Sequence, residues 1–134
     1  GRDLFNQAWL DHQLHTASSR DVTLAPQDVQ ATLAELTALT AAQALLRYGP
    51  TSCTKLLICG GGARNVFLQR RIRHHLPTTI EVCSTSDVGI PVDQVEALAF
   101  AWLARARLMR QPGNLEAVTG AAGPRVLGAV YIGT

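Results

Sequence analysis

Three consecutive glycines, Gly60-Gly61-Gly62, follow the apolar run Leu56-Leu57-Ile58-Cys59 and lead at once into Ala63-Arg64-Asn65. A short apolar run without alternation, bounded by turn residues, predicts a strand buried on both faces. Glycine has no Cβ, so the turn can bend sharply and let another molecule approach its backbone. A helix expected to begin near Arg64 would offer free N–H groups and the positive end of its dipole to whatever lies over the glycines. Strand, glycine turn and helix in that order suit a phosphate or a nucleotide. The motif is neither G-x-G-x-x-G nor a phosphate loop ending in Gly-Lys-Ser/Thr, and a tight strand-to-helix turn without a ligand also explains it.

A second group of polar residues follows in Ser84-Thr85-Ser86-Asp87-Val88-Gly89-Ile90-Pro91, with Asp93 and Glu96 just beyond it. Asp93 and Glu96 lie one turn apart near the start of an expected helix, where acidic side chains favour the positive dipole end. Glu96 precedes the apolar run Ala97-Leu98-Ala99-Phe100-Ala101-Trp102, so a half-buried acid or hydrogen-bonding role at a cleft is an equal reading.

The elements that must carry these residues follow from periodicity. Residues 3–15 predict a short helix with Asp3 as its N-cap, and residues 18–23 a polar connection. Pro26 suits the first turn of a second helix, whose Val29, Leu33, Leu36, Leu39, Ala42 and Leu45 recur at spacings of three and four. Gly49-Pro50 forbids its continuation. Its Thr32, Thr37 and Thr40 are ordinary helix positions. After the strand over 56–59, a third helix is expected over 64–75, with Leu68, Ile72 and Leu76 on its apolar face. Arg64, Arg70, Arg71, Arg73, His74 and His75 occupy the other faces, which read as solvated. Adjacent His74 and His75 make a poor metal pair. Pro77 ends the helix and residues 79–83 predict a second strand, giving a βαβ unit with parallel strands and a right-handed crossover. The glycine turn and the 85–89 loop then leave the same carboxyl edge of the sheet, where open α/β folds bind ligands. A fourth helix over 92–109 carries Val92, Val95, Ala99, Trp102, Ala106 and Met109 as one stripe, and residues 126–132 read as a last strand.

The 134 residues make one domain with enough apolar content, 47%, for a core. A net charge of +2 is too small to argue by itself for nucleic acid or an anionic membrane. No apolar run approaches the ~18 residues of a membrane span. Cys53, Cys59 and Cys83 are odd in number and form no Cys-x-x-Cys pair. Cys59 and Cys83 fall in expected buried strands and read as inert core thiols rather than metal ligands, in keeping with a reducing cytoplasm. The opening Gly1-Arg2-Asp3, without an initiator methionine, suggests a processed or excised piece.

Several motifs together resemble one family. Cys59-Gly60-Gly61-Gly62-Ala63-Arg64-Asn65 with Leu68, the run Thr85-x-Asp87-x-Gly89-Ile90-x-x-Asp93-x-x-Glu96-Ala97, Pro112-Gly113-Asn114-Leu115, Val118-Thr119-Gly120-Ala121 and Leu127-Gly128 are similar to the carboxyl-terminal lobe of bacterial anhydro-N-acetylmuramic acid kinases. Gly1-Arg2-Asp3-Leu4-Phe5-Asn6 with Trp9-Leu10, and Ala31-Thr32-Leu33 with Leu36-Thr37-Ala38, resemble the segments leading into that lobe. Ile132 departs from the proline the family tends to carry. The resemblance implies an α/β chain with a mixed sheet packed by helices: one ribonuclease-H-like lobe of the actin-like ATPase, or sugar kinase, fold. It implies a cytoplasmic enzyme that uses ATP and magnesium to open the 1,6-anhydro ring of anhydro-N-acetylmuramic acid and phosphorylate O6, in peptidoglycan recycling. By the same match Gly60, Gly61, Gly62 and Asn65 contact the nucleotide, and Glu96 stands on the sugar side of the cleft. Asp87 and Asp93 are weaker candidates, and no metal ligand is assigned.

The family's phosphate loop, Gly-Thr-Ser-x-Asp-Gly-x-Asp, has no counterpart in these residues, and its catalytic aspartate base is expected in an amino-terminal lobe absent here. Residues 1–134 are therefore expected to form one lobe of a two-lobe kinase, catalytically silent alone, with its own amino-terminal lobe as partner. Homodimerisation stays open, since an exposed half-cleft offers apolar surface that can drive association. Two other functions compete: a non-catalytic nucleotide- or partner-binding module using the same turn, and a nucleic-acid binder using Arg64, Arg70, Arg71 and Arg73, whose affinity would fall steeply with salt.

Overall fold

The computed structural model describes residues 3–18, 24–131 and 133. Most of the expected connection over 18–23, the leading Gly1-Arg2 and Ile132 lie outside the described residues. The chain divides into two compact units: Gly1–Thr54 with Val66–Ile80, and Lys55–Asn65 with Glu81–Thr134.

The first unit is helical. Helix α1 spans Gln7–Ser18 and α2 spans Pro26–Tyr48. The cap of α1 is Asn6, not Asp3: the Asn6 Oδ1 accepts the Trp9 N–H at 3.0 Å, satisfying a first-turn amide. Phe5 meets Trp9 edge to face, ring centroids 5.0 Å apart. Pro26 opens α2 and the helix stops before Gly49-Pro50, both as expected. Its threonine hydroxyls bond back along the helix, Thr32 to the Asp28 carbonyl at 2.7 Å and Thr37 to that of Leu33 at 3.0 Å. Helix α3 spans Val66–His75 and packs against α2. Ala38 and Ala42 of α2, with Ile72 of α3 and Leu76 just after it, are the buried residues among those described in this unit. The two alanines are small enough to bring the helix backbones close, and Ile72 and Leu76 are two of the three residues expected on the apolar face.

Arg71 and His75 correct the expectation of a uniformly solvated basic face. Four residues apart, they share one side of α3, and both reach Glu35 of α2. Arg71 donates from Nε to Oε2 at 2.6 Å and from a terminal nitrogen to Oε1 at 2.8 Å, and His75 Nε2 lies 2.7 Å from Oε1. The Arg71 hydrogen bonds, and then that of His75, lower the Glu35 carboxyl from an ordinary 4.5 to about 2. A carboxyl depressed in the folded state adds stability that is present above its unfolded value. That stability is lost as the pH falls through the folded value. Glu35→Gln should therefore lower stability at neutral pH and flatten its acid dependence between about pH 4.5 and 2. Urea melts across that window check it: parallel curves for the two proteins would show that Glu35 is not coupled to folding.

The second unit holds the sheet. Strand β1 spans Lys55–Ile58 and β2 spans Glu81–Ser84, paired in parallel with Lys55 opposite Glu81 and Ile58 opposite Ser84. Across the first register pair the Lys55 ammonium meets the Glu81 carboxylate at 3.0 Å. The structure is thus helix-rich α/β with a small parallel sheet, as the βαβ pattern implied. The strand over 79–83 begins at Glu81, because Pro77 and Ile80 close a turn in which the Ile80 N–H bonds the Pro77 carbonyl. Strand β1 is not buried on both faces. Leu56 and Ile58 are half-buried while Leu57 is 42% exposed, the period-two pattern of a strand whose unit covers one face. Cys59 lies beyond the strand and is exposed, and Cys83 is half-buried, so neither is the fully buried core thiol expected.

Helix α4 spans Val95–Leu108 and the single-turn α5 spans Glu116–Thr119. The Gln94 N–H bonds the Pro91 carbonyl, so the residues at 92–94 form a turn ahead of α4 rather than its first residues. Its covered arc runs through Val95, Leu103, Ala106 and Arg107, and Trp102 and Met109 of the expected stripe stay more than half exposed. Residues 126–131 form no strand. The chain there leaves a loop closed by Asn114, which donates to the Gly123 carbonyl at 3.2 Å and accepts the Arg125 N–H at 2.6 Å. The adjacent Gly113 N–H takes the Arg125 carbonyl, committing to the loop the groups that would begin a ladder.

Candidate functional site

The glycine turn is built by its backbone. Cys59 leaves β1 extended, and Gly60 enters the left-handed region at φ 62°. A side chain is strained there, because Cβ crowds the backbone, whereas glycine adopts it without penalty. Gly60–Arg64 then form a 3-10 turn closed by the Asn65 N–H on the Gly62 carbonyl at 3.1 Å. Helix α3 starts only at Val66, after Asn65 in an extended conformation, so the glycines occupy a turn of their own rather than the lead-in to a helix at Arg64. In such a turn the first amides lack partners within it. A Cβ built on Gly60 or Gly61 meets nothing within 4 Å. At these two residues the space where side chains would stand is therefore open, which is the space a close-lying ligand requires.

Parallel pairing of Ile58 with Ser84 sends the glycine turn and the loop after β2 out of the same sheet edge, as expected. That loop is a second 3-10 turn, Thr85–Val88, closed by Gly89 in the left-handed region and by the Ile90 N–H on the Thr85 carbonyl. Asp87 is taken up within it. Its carboxylate accepts the Ser84 N–H at 2.7 Å and the Ser84 hydroxyl at 3.0 Å, which together hold its pKa below the ordinary carboxylate range. This is the work of a turn cap, with one carboxylate oxygen satisfying two donors. Thr85 is 7% exposed and its hydroxyl oxygen has no hydrogen-bond partner.

Two contacts join the glycine turn to the segment ahead of α4. The Gly60 N–H donates to the Val92 carbonyl at 2.8 Å, and the Arg64 guanidinium pairs with the Asp93 carboxylate. Arg64, expected as the start of a helix and part of its basic face, is instead the last residue of the turn and is tied to an acid. Asp93 precedes α4, whereas Glu96 stands exposed in its first turn. Gly60, Gly61, Gly62, Asn65, Asp87, Asp93 and Glu96 thus all lie in the second unit, Asp93 tied to the glycine turn through Arg64 and Asp87 engaged in its own loop. Neither the Arg64–Asp93 pair nor the Glu35 cluster was read from the sequence: the partners lie 29 and 36 to 40 residues apart, beyond any helical or strand spacing.

No helix among the described residues is long and apolar enough to cross a membrane. No group of three His, Cys, Asp or Glu side chains among them is gathered to hold a metal ion.

Comparison with known proteins matches nearly the whole chain to one family. The family model for anhydro-N-acetylmuramic acid kinase matches residues 1–133. An anhydro-N-acetylmuramic acid kinase of Cupriavidus pinatubonensis is 55% identical over 131 residues, covering 98% of this chain and 34% of that protein. Those of Variovorax paradoxus and Ralstonia nicotianae are 55% and 52% identical, each again over 98% of this chain and 33% of the relative. The chain therefore spans about a third of the length of the curated relatives it matches. A match unbroken from the α1 cap through the glycine turn to the last loop means that this chain belongs to the anhydro-N-acetylmuramic acid kinase family.

Proposed function

We propose that this chain is the carboxyl-terminal, nucleotide-side lobe of a kinase that uses ATP to open the 1,6-anhydro ring of anhydro-N-acetylmuramic acid and phosphorylate it at O6. In this reading it is one ribonuclease-H-like lobe of an actin-like kinase, working in the cytoplasm in peptidoglycan recycling. The observation that carries it is the open glycine turn at the carboxyl edge of a parallel strand, where a Cβ would meet empty space at both Gly60 and Gly61.

The residues fit a nucleotide. Bare backbone at Gly60, Gly61 and Gly62 lets phosphate oxygens approach the turn beyond Gly60, whose own N–H is given to the Val92 carbonyl. Asn65, next to the turn, adds a side-chain amide able to donate or accept. Glu96 in the first turn of α4 is an exposed carboxylate suited to accept hydrogen bonds from sugar hydroxyls. When bound, magnesium would neutralise charge on the β- and γ-phosphates. It commonly needs only one or two protein carboxylates together with the phosphates themselves, so a preformed cage is not required. Phosphoryl transfer depends on positioning and on charge stabilisation around the transferred group. The turn supplies positioning for the nucleotide, while the phosphate loop and the base belong to the amino-terminal lobe.

Calorimetric titration of residues 1–134 with magnesium-ADP, with an oligonucleotide as control, tests the reading. Saturable ADP binding without oligonucleotide binding is expected, as is no phosphotransfer above blank. Turnover by residues 1–134 alone would contradict the division of labour, and salt-sensitive oligonucleotide binding would favour the basic residues as the site.

A further inference from the structure

The glycine turn is held at both ends by two consecutive residues. Its first residue, Gly60, donates its N–H to the carbonyl of Val92, and its last, Arg64, pairs through its guanidinium with the carboxylate of Asp93. Between them Gly61 leaves open space where a side chain would stand. Glycine leaves the widest choice of dihedrals, so a five-residue turn that begins with three of them gains definition from the contacts made at its two ends. The two holding residues immediately precede α4, in whose first turn Glu96 stands.

We infer that Arg64 and Asp93 form a clasp that sets the glycine turn against the start of α4, and that Asp93 is thereby a positioning residue for the nucleotide. The inference rests on the proposed nucleotide role of the turn. Asp93 acts through Arg64 and does not touch the nucleotide. Its charge makes the point testable. An uncompensated carboxylate beside a phosphate site repels the ligand, whereas an uncompensated guanidinium attracts it. If Arg64 served the phosphates directly, removing Asp93 would release it and tighten binding. If the pair is a clasp, removing either partner loosens the turn and weakens binding.

The experiment uses the full-length kinase carrying this lobe, with Asp93→Asn, Arg64→Met and the exchanged pair Arg64→Asp with Asp93→Arg. Both single variants should raise the KM for ATP and the calorimetric ATP dissociation constant about two- to five-fold, the range open to an exposed ion pair. The kcat should stay within about twofold, because loss of affinity shared by ground and transition states moves KM and leaves kcat. A variant that merely destabilises the protein would lower the active fraction, and so the apparent kcat, at constant KM. The exchanged pair should recover most of the affinity, and hydrogen exchange of the Gly60 amide should quicken in the singles and slow again in the exchange. Unchanged or tighter ATP binding in Asp93→Asn overturns the clasp. Gly61→Val is measured alongside. If it leaves ATP affinity untouched, the nucleotide role of the turn has failed. If it abolishes binding while Asp93→Asn does nothing, the turn stands and only the clasp has failed.

Discussion

Gly61→Val should weaken nucleotide binding about a hundredfold, or ~3 kcal/mol, while leaving the fold intact. Displacing a ligand group by about 1 Å is enough for losses of this order. The argument has two halves, and the structure makes both favourable. An added Cβ at Gly61 meets nothing within 4 Å, so a side chain can start there without displacing the chain around it. Nor does Gly61 lie in the left-handed region, so the forbidden dihedrals that a β-branched residue brings to a glycine turn do not arise there. That strain belongs to Gly60, at φ 62°. The valine methyls would instead fill the open space over the backbone, which is the space a phosphate needs. Equal unfolding midpoints with lost ADP and ATP binding in calorimetry are the expected pair of results. A folded Gly61→Val protein that binds nucleotide as before would show that the openness of the turn serves no ligand. Gly60→Ala is the contrasting control: its side chain is as small as a side chain can be, but it forces a left-handed residue at a cost of about 1–2 kcal/mol. It should shift the midpoint where Gly61→Val does not.

What could be read along the chain divides by the range of the interaction. Local signals carried well. Pro26 and Gly49-Pro50 bracketed α2 because each acts through its own dihedral and its missing or misplaced N–H. The order strand, glycine turn, helix, strand was legible from short apolar runs and punctuation, and it placed two loops on one sheet edge through the parallel pairing. Ends were less legible. Asp3 and Asn6 are both good caps, and only the bond from the Trp9 amide decides between them. Residues 126–131 form no strand, and just ahead of them one side chain, Asn114, claims backbone groups at Gly123 and Arg125, a preference no strand propensity reports. The contacts that organise the candidate site were hidden for the same reason. Arg64 and Asp93, like Arg71, His75 and Glu35, are surface-type residues with ordinary spacing, and only the fold brings them together. The family motifs pointed to the glycines, whereas the Arg64–Asp93 pair beside them is set by the fold.

The clearest test of what the apolar pattern did specify is Ile72→Ala. The repeat of Leu68, Ile72 and Leu76 pointed one face of α3 inward. Ile72 is 5% exposed where α3 packs on α2, a helix contributing only the small Ala38 and Ala42 to the buried set. Neighbours that small cannot expand to refill a void, so the cavity left by truncation should persist. The expected loss is about 2–4 kcal/mol, a large share of the ~5–15 kcal/mol that holds a typical domain together. Ile72→Val should cost no more than about 1.5 kcal/mol, since one methylene leaves too small a void to matter as much. Phe67, on the same helix, is the larger side chain but is 48% exposed. Phe67→Ala should therefore cost far less than Ile72→Ala, within about 0.5 kcal/mol of the parent chain. Urea unfolding of residues 1–134, read as a shift in midpoint at constant slope, ranks the three. Size alone would put Phe67 first and burial puts Ile72 first; if Phe67→Ala proved the more damaging, the assignment of the α3 inner face would be wrong.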